Sequence, residues 1–109
     1  MRTAHITQYG TPEEALSVTT VDDPEPGPNE VRVAVEAVAL NHLDVFARTG
    51  HPGDEGDFPK RTGCDIAGVV DAVGDDADDA WLNEEVVVYP GVTCGECEYC
   101  MAGEQTMCH

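Results

Sequence analysis

Four cysteines near the end of the sequence place the strongest constraint on what the chain can fold into. They are Cys94, Cys97, Cys100 and Cys108, with the spacing C-x2-C-x2-C-x7-C. Four thiolates form the soft tetrahedral shell that zinc prefers in closed structural sites, and such a shell leaves no open position for chemistry. Because all four come from one short segment, the spacing predicts a zinc-stabilised lobe over residues 91–109 with little apolar core of its own.

Two other interpretations of the cysteines stay open at this stage. Closely spaced cysteines also hold iron–sulfur clusters, and pairs of thiols can form disulfides. Four of the five cysteines lie together, which favours a metal site in a reducing compartment over a secreted disulfide framework. His109 follows Cys108 directly and is interpreted as a chain end, not as a fifth ligand.

The charge balance limits the classes of partner. The sequence has 22 Asp and Glu against 5 Lys and Arg, which gives a formal net charge of -17. Such a surface repels phosphate backbones and anionic lipids, so we expect neither nucleic-acid nor membrane binding. A salt-loving source organism is the favoured explanation, because high salt screens the self-repulsion; an acidic protein from an ordinary cell is the alternative. The start of the chain has no apolar signal region and no stretch is long enough to span a membrane, which predicts a cytoplasmic protein.

Length and composition favour one domain built mainly from strands. The chain has 109 residues and 41% hydrophobic residues, which is enough for a compact core. Segments 3–8 and 16–21 carry β-branched residues and flank a Gly-Thr-Pro turn, so they are predicted to form a strand pair. Further strands are predicted at 30–40, 66–73 and 84–89, the first with one buried face. Several short strands separated by turn-forming residues, together with only one short helix, indicate a mostly β, barrel-like domain.

The helix is predicted directly after the long strand. Its apolar residues have helical spacing from Asn41 onward, and Gly50 is a plausible end. Asn41 and Asp44 resemble a capping pair for its first turn. Asp44 and Arg48 are spaced to pair across one turn.

The sequence resembles the N-terminal part of the medium-chain dehydrogenases and reductases, which include the zinc alcohol dehydrogenases and the quinone oxidoreductases. The resemblance rests on the cysteine lobe from Gly91 to Cys108 and on four upstream segments in matching order: Val31-Arg32-Val33, Asn41-His42-Leu43-Asp44, Gly63-Cys64-Asp65-Ile66-Ala67-Gly68-Val69-Val70 and Val73-Gly74. It covers nearly the whole chain. It implies a GroES-like, partly open β-barrel over residues 1–109 with a structural-zinc lobe, and a parent enzyme that continues into a Rossmann domain for NAD or NADP.

The catalytic positions of the zinc alcohol dehydrogenases are altered here. In those enzymes the helix begins with a cysteine that ligates catalytic zinc, and a hydroxyl residue two positions later relays a proton. Asn41 and Leu43 stand at those positions, and an amide is a poor zinc ligand while leucine carries no proton. The Gly-His-Glu motif that supplies the next ligand is Gly63-Cys64-Asp65. Cys64 and Asp65 can still bind metal, but the ligand set is incomplete.

Three residues are therefore the candidates for catalysis. Asn41 is a helix cap, a contact for nicotinamide or substrate as in zinc-free quinone reductases, or both. His42 either helps to position substrate or cofactor or is an exposed histidine. Cys64 is either a small buried thiol before a strand or part of a remnant metal site.

The resemblance implies hydride transfer between a nicotinamide cofactor and a small carbonyl, quinone or enone substrate, without catalytic zinc, in a parent enzyme that is a homo-oligomer. One alternative is a zinc-catalysed alcohol dehydrogenase with atypical ligands at Cys64 and Asp65. Another is a stand-alone zinc-stabilised β module that binds a partner. No glycine-rich dinucleotide fingerprint follows any strand, so this piece is expected to be inactive alone.

Overall fold

The fold consists of two three-stranded sheets. A computed structural model describes residues 1–109. The strands are β1 Arg2–Ile6, β2 Leu16–Thr20, β3 Val31–Ala39, β4 Lys60–Arg61, β5 Asp65–Val73 and β6 Glu85–Val87. Their order is β2-β1-β4 in one sheet and β3-β5-β6 in the other, and every pairing is antiparallel. The sheets do not close into a barrel, which confirms the predicted mostly β and partly open architecture.

Helical segments are short and more numerous than predicted. They are α1 Pro12–Ala15, α2 His42–Thr49 and α3 Glu98–Met101, with 3-10 turns at Asp79–Trp81 and Gln105–Met107. The expectation of a single helix was wrong because α1 starts at a capping box between Thr11 and Glu14, with Pro12 at its first position. None of these helices is both long enough and apolar enough to cross a lipid bilayer.

The predicted first strand pair is confirmed. β1 and β2 pair antiparallel from Arg2 opposite Thr20 to Ile6 opposite Leu16. The intervening turn folds back so that the Thr7 N–H donates to the Ala15 carbonyl over 2.8 Å. Ile6 and Ala15 are fully buried there and anchor this sheet.

The long hairpin of β3 and β5 carries the second sheet. Its register shifts twice, between Arg32 and Val33 and between Val35 and Ala37, so bulges interrupt the alternation that predicted this strand. Gly68 lies against β3 so closely that a Cβ there would sit 2.1 Å from the Ala34 carbonyl oxygen. The two strands approach at this glycine because no side chain intervenes.

The core is much smaller than the composition predicted. Five of the 109 residues are buried, and the apolar ones are Ile6, Ala15 and Val70. The expectation that one face of β3 is buried was wrong, because Val35 and Val38 keep 53% and 69% of their surface. Burial of a strand face requires a second packed layer, and the exposure of these two valines shows that no such layer covers this part of β3.

The helix predicted after β3 is confirmed as α2, with Asn41 as its N-cap. It ends at Gly50, where φ is 89° and the N–H donates to the Phe46 carbonyl over 2.9 Å. The predicted pair of Asp44 with Arg48 does not form. Arg48 Nη1 instead donates to the Gly10 carbonyl and ties α2 to the turn between β1 and α1.

Candidate functional site

One cavity brings together all three residues predicted for catalysis. It has a volume of about 500 Å³ and lies where the start of α2, the start of β5 and the segment after β6 meet. Its lining residues are Asn41, His42, Leu43, Asp44, Cys64, Asp65, Tyr89, Pro90 and Gly91. A pocket of this size accommodates a small planar molecule.

Asn41 has both a capping position and a place in the pocket wall. Its backbone is extended, with φ −122° and ψ 161°, and it forms a capping box with Asp44. Asp44 Oδ2 accepts the Asn41 backbone N–H over 2.8 Å, which satisfies a donor just before the helix. The Asp44 half of the predicted capping pair is therefore present.

The side chain of Asn41 also reaches β5. Its Nδ2 donates to Asp65 Oδ2 over 2.6 Å. A carboxylate only accepts hydrogen bonds, so this contact requires the amide nitrogen of Asn41 to point at Asp65. The pair joins the two segments that would supply metal ligands in a zinc alcohol dehydrogenase.

Asp44 links the helix to the loop that precedes β5. Its Oδ1 accepts the Thr62 hydroxyl over 2.7 Å and the Gly63 N–H over 2.8 Å. The hydrogen bonds from the Thr62 hydroxyl and the Asn41 N–H hold the pKa of Asp44 below its usual range. Asp44 is thus an ionised brace that fixes the pocket wall.

His42 and Cys64 are both exposed at the pocket. The His42 ring centroid lies 5.9 Å from that of Phe46, one turn along α2. The interpretation of Cys64 as a buried thiol was wrong, because it precedes β5 at the pocket rim, where no neighbouring layer covers it.

The sequence did not predict three of the pocket residues, Tyr89, Pro90 and Gly91. A Cβ on Gly91 would lie 2.5 Å from Cε1 of Tyr89, so the missing side chain lets the tyrosine ring pack against the backbone. They lie in the loop between β6 and the cysteine lobe, and loops at strand ends commonly carry binding residues. That position could have indicated them.

The pocket does not assemble a metal-ligand set. Throughout residues 1–109, only Cys94, Cys97, Cys100 and Cys108 bring together three or more ligating atoms of His, Cys, Asp or Glu. Cys64 and Asp65 are neighbours in sequence but have no third such ligand with them.

The four cysteines of the lobe meet as their spacing predicted. Their Sγ atoms all lie within 4.8 Å of one another, and those of Cys94 and Cys100 are 3.9 Å apart. Zinc–sulfur bonds of about 2.3 Å in a tetrahedron place sulfur atoms about 3.8 Å apart. All four are free thiols. The donor type, number and spacing therefore fit one zinc ion.

Backbone amides already favour thiolate in this cluster. The N–H groups of Glu96 and Cys97 donate to Cys94 Sγ over 3.4 and 3.3 Å, and they lower the pKa of Cys94 to about 6. The Cys94 N–H likewise favours the thiolate of Cys108, but the neighbouring Cys94 thiol, desolvation and the thiols of Cys100 and Cys97 together outweigh it and raise the pKa of Cys108 to about 11. Four adjacent thiolates need a cation to coexist.

The lobe has no core to hold it without such an ion. No residue from 91 to 109 is buried. The chain turns at Gly95 and Gly103, whose φ values of 75° and 80° suit glycine. His109 packs edge-on against Tyr99, with ring centroids 5.3 Å apart, and lies outside the cysteine cluster.

Comparison with known proteins identifies the family of the chain. The sequence profile of the alcohol dehydrogenase GroES-like domain matches residues 27–109. The chain belongs to this family. The GroES-like domain accounts for the two open sheets, the helix after the long strand and the cysteine lobe.

Two solved structures and a curated relative illustrate the match. A crystal structure of an NAD-dependent alcohol dehydrogenase is 46% identical with a TM-score of 0.89, covering 99% of this chain and 31% of that one. A cobalt- and zinc-bound thermostable alcohol dehydrogenase from Pyrobaculum aerophilum is 32% identical with a TM-score of 0.87, covering 100% and 32%. The quinone oxidoreductase of Homo sapiens is 28% identical over 107 residues, covering 98% of this chain and 32% of that protein. The GroES-like chain thus spans about a third of the length of these proteins.

Proposed function

We propose that this chain is the N-terminal GroES-like domain, residues 1–109, of an NAD(P)-dependent oxidoreductase. The whole protein transfers hydride to or from a small carbonyl, quinone or enone substrate without catalytic zinc. The observation that carries this proposal is the hydrogen bond from the Asn41 amide to Asp65, made at the position where the zinc alcohol dehydrogenases have a zinc-ligating cysteine. The relatives named as alcohol dehydrogenases and quinone oxidoreductases support the reaction class.

Hydride transfer without a metal relies on the protein to position its reactants. A nicotinamide cofactor supplies the hydride when it is bound. The pocket of about 500 Å³ has room for a planar ring beside Asn41 and His42. We assign the reacting ends of the cofactor and the substrate to this pocket, where Asn41, His42 and Cys64 would contact them. The remaining contacts to the cofactor would come from other parts of the whole protein, which we expect to be a homo-oligomer.

The cysteine lobe serves structure in this proposal. Cys94, Cys97, Cys100 and Cys108 hold one zinc ion, whose closed thiolate shell leaves no site for substrate. The absence of buried residues from 91 to 109 supports the same role, because the metal then substitutes for a core.

Metal analysis tests the proposal against its nearest alternative. Purified protein should contain one zinc per chain, and Cys100→Ser should abolish it while Cys64→Ser retains it. Two metals per chain, with one lost in Cys64→Ser, would instead establish a zinc-catalysed dehydrogenase that uses Cys64 and Asp65. Both residues line the pocket, which is the observation that favours this alternative.

The gene sequence beyond residue 109 tests the second alternative. A downstream βαβ segment with a G-x-G-x-x-G fingerprint is expected, because that motif binds the pyrophosphate of a dinucleotide. A reading frame without such a segment would favour a stand-alone zinc-stabilised β module that binds a partner.

A further inference from the structure

We propose that Asp65 is a positioning residue that locks the Asn41 amide so that its free N–H can donate to a carbonyl oxygen in the pocket. This inference rests on the proposed function and names the chemistry of the substrate that Asn41 recognises. The contact on which it stands is the 2.6 Å hydrogen bond from Asn41 Nδ2 to Asp65 Oδ2.

The chemistry of the two side chains fixes the orientation of the amide. A primary amide can rotate by half a turn and exchange its donor nitrogen with its acceptor oxygen at little cost. An ionised carboxylate offers only acceptors, so Asp65 excludes the rotamer in which the amide oxygen faces it. The capping box with Asp44 restrains the same residue from the helix side.

The locked amide retains one hydrogen for a ligand. Its nitrogen carries two hydrogens, and within the chain Nδ2 donates only to Asp65. Asn41 lines the pocket beside Cys64 and Tyr89, so the second N–H is available where a ligand would lie. The ligand that suits a fixed neutral donor is a carbonyl compound such as an enone or a quinone.

A fixed donor has a specific value for carbonyl reduction. Negative charge develops on the carbonyl oxygen as hydride reaches the conjugated system, and a preorganised N–H stabilises that charge without reorganisation. The proton that completes the reduction comes from water. Asp65 acts through Asn41 and touches no reacting atom.

Nuclear magnetic resonance tests the lock independently of activity. In the spectrum of the 15N-labelled full chain loaded with zinc, the two side-chain amide proton signals of Asn41 are identified as the pair that disappears in Asn41→Ser. The proton that is hydrogen-bonded to Asp65 should lie downfield of the other proton on the same nitrogen, because a carboxylate is a strong acceptor. Asp65→Asn should remove this separation, and Asp57→Asn, a matched change at an exposed carboxyl, should leave it intact. A pair whose shifts are the same in Asp65→Asn and wild type would overturn the lock.

Steady-state kinetics on the whole protein tests the role of the lock in reduction. With an enone or a quinone and NADH or NADPH, Asp65→Asn should lower kcat/KM for the carbonyl substrate by about tenfold or more, since a misplaced oxyanion donor has at least this effect. The KM for the cofactor should not change, and Asp65→Glu should recover part of the loss. If kcat/KM of Asp65→Asn for the carbonyl substrate equals that of Asp57→Asn, or if only the KM for the cofactor changes, the positioning role is wrong. If the wild-type protein reduces no carbonyl compound, the proposed function is wrong. The resonance experiment would still test whether Asp65 orients the Asn41 amide.

Discussion

The carboxylate of Asp44 accepts a 2.7 Å hydrogen bond from the hydroxyl of Thr62 and so joins α2 to the loop before β5. Asp44 also accepts from the backbone of Asn41 and of Gly63. One side chain therefore connects the helix cap with the loop that carries Cys64 and Asp65. The geometry of the pocket depends on this brace.

Replacement of Asp44 should destabilise the domain. Asp44→Ala removes three hydrogen bonds to an ionised acceptor, and loss of a cap and of charged hydrogen bonds costs about 1–3 kcal/mol. Urea unfolding followed by circular dichroism should show this decrease in the free energy of unfolding. Asp57→Ala, at an exposed carboxyl, is the control and should stay close to wild type. Equal unfolding midpoints for Asp44→Ala and the control would show that the brace contributes nothing.

The contribution of Asp44 should disappear in acid. Its pKa in the folded protein lies below the usual value, first because of the Thr62 hydroxyl and then because of the Asn41 N–H. The stabilisation is complete above the unfolded pKa of about 3.9, and it is lost as the pH falls through the folded pKa. The difference in unfolding free energy between wild type and Asp44→Ala should be constant near neutral pH and shrink in acid. A difference independent of pH would argue that the ionised form is not the one that braces the pocket.

Local pattern predicted the longer strands and α2, but it missed α1, α3 and the two-residue β4 and did not predict burial. The β-branched segments, the helix from Asn41 and the cysteine spacing each depend on neighbouring residues, and these predictions hold. The buried face of β3 failed because burial depends on a second layer that periodicity cannot identify. The same limit explains Arg48, which bonds to the distant Gly10 carbonyl rather than to Asp44. The Asn41 to Asp65 contact was equally non-local, joining residues 24 positions apart.

Gly68 should tolerate no side chain. A Cβ there would lie 2.1 Å from the Ala34 carbonyl oxygen and 2.9 Å from its carbon, both backbone atoms. Because β3 must move to admit a methyl group, Gly68→Ala should cost more than about 2 kcal/mol. Gly27→Ala is the matched control, since its nearest neighbours belong to the flexible Glu30 side chain. Thermal unfolding of both variants checks this, and a Gly68→Ala protein as stable as Gly27→Ala would contradict the close approach.

Removal of zinc should unfold the lobe and spare the sheets. Residues 91–109 contain no buried side chain, so their order depends on the metal. After chelation, amide hydrogen exchange should rise sharply across this segment, while the β3–β5 hairpin keeps its protection. Cys100→Ser should show the same pattern without chelator. Unchanged exchange in the metal-free lobe would mean that its loops are held by other contacts.

High salt should stabilise this protein. It carries 22 acidic residues against 5 basic ones, and two of those basic residues, Arg32 and Lys60, account for all the ion pairs made by side-chain cations. The remaining acids repel one another, and about 1 M salt shortens the screening length to about 3 Å. The melting temperature should therefore rise from dilute buffer to about 1 M KCl. A variant with Asp22→Asn, Glu55→Gln and Asp57→Asn, all exposed, should melt higher in dilute buffer and gain less from KCl. A salt response identical in the two proteins would assign the stabilisation to the general effect of salt on apolar surface and not to relief of charge repulsion.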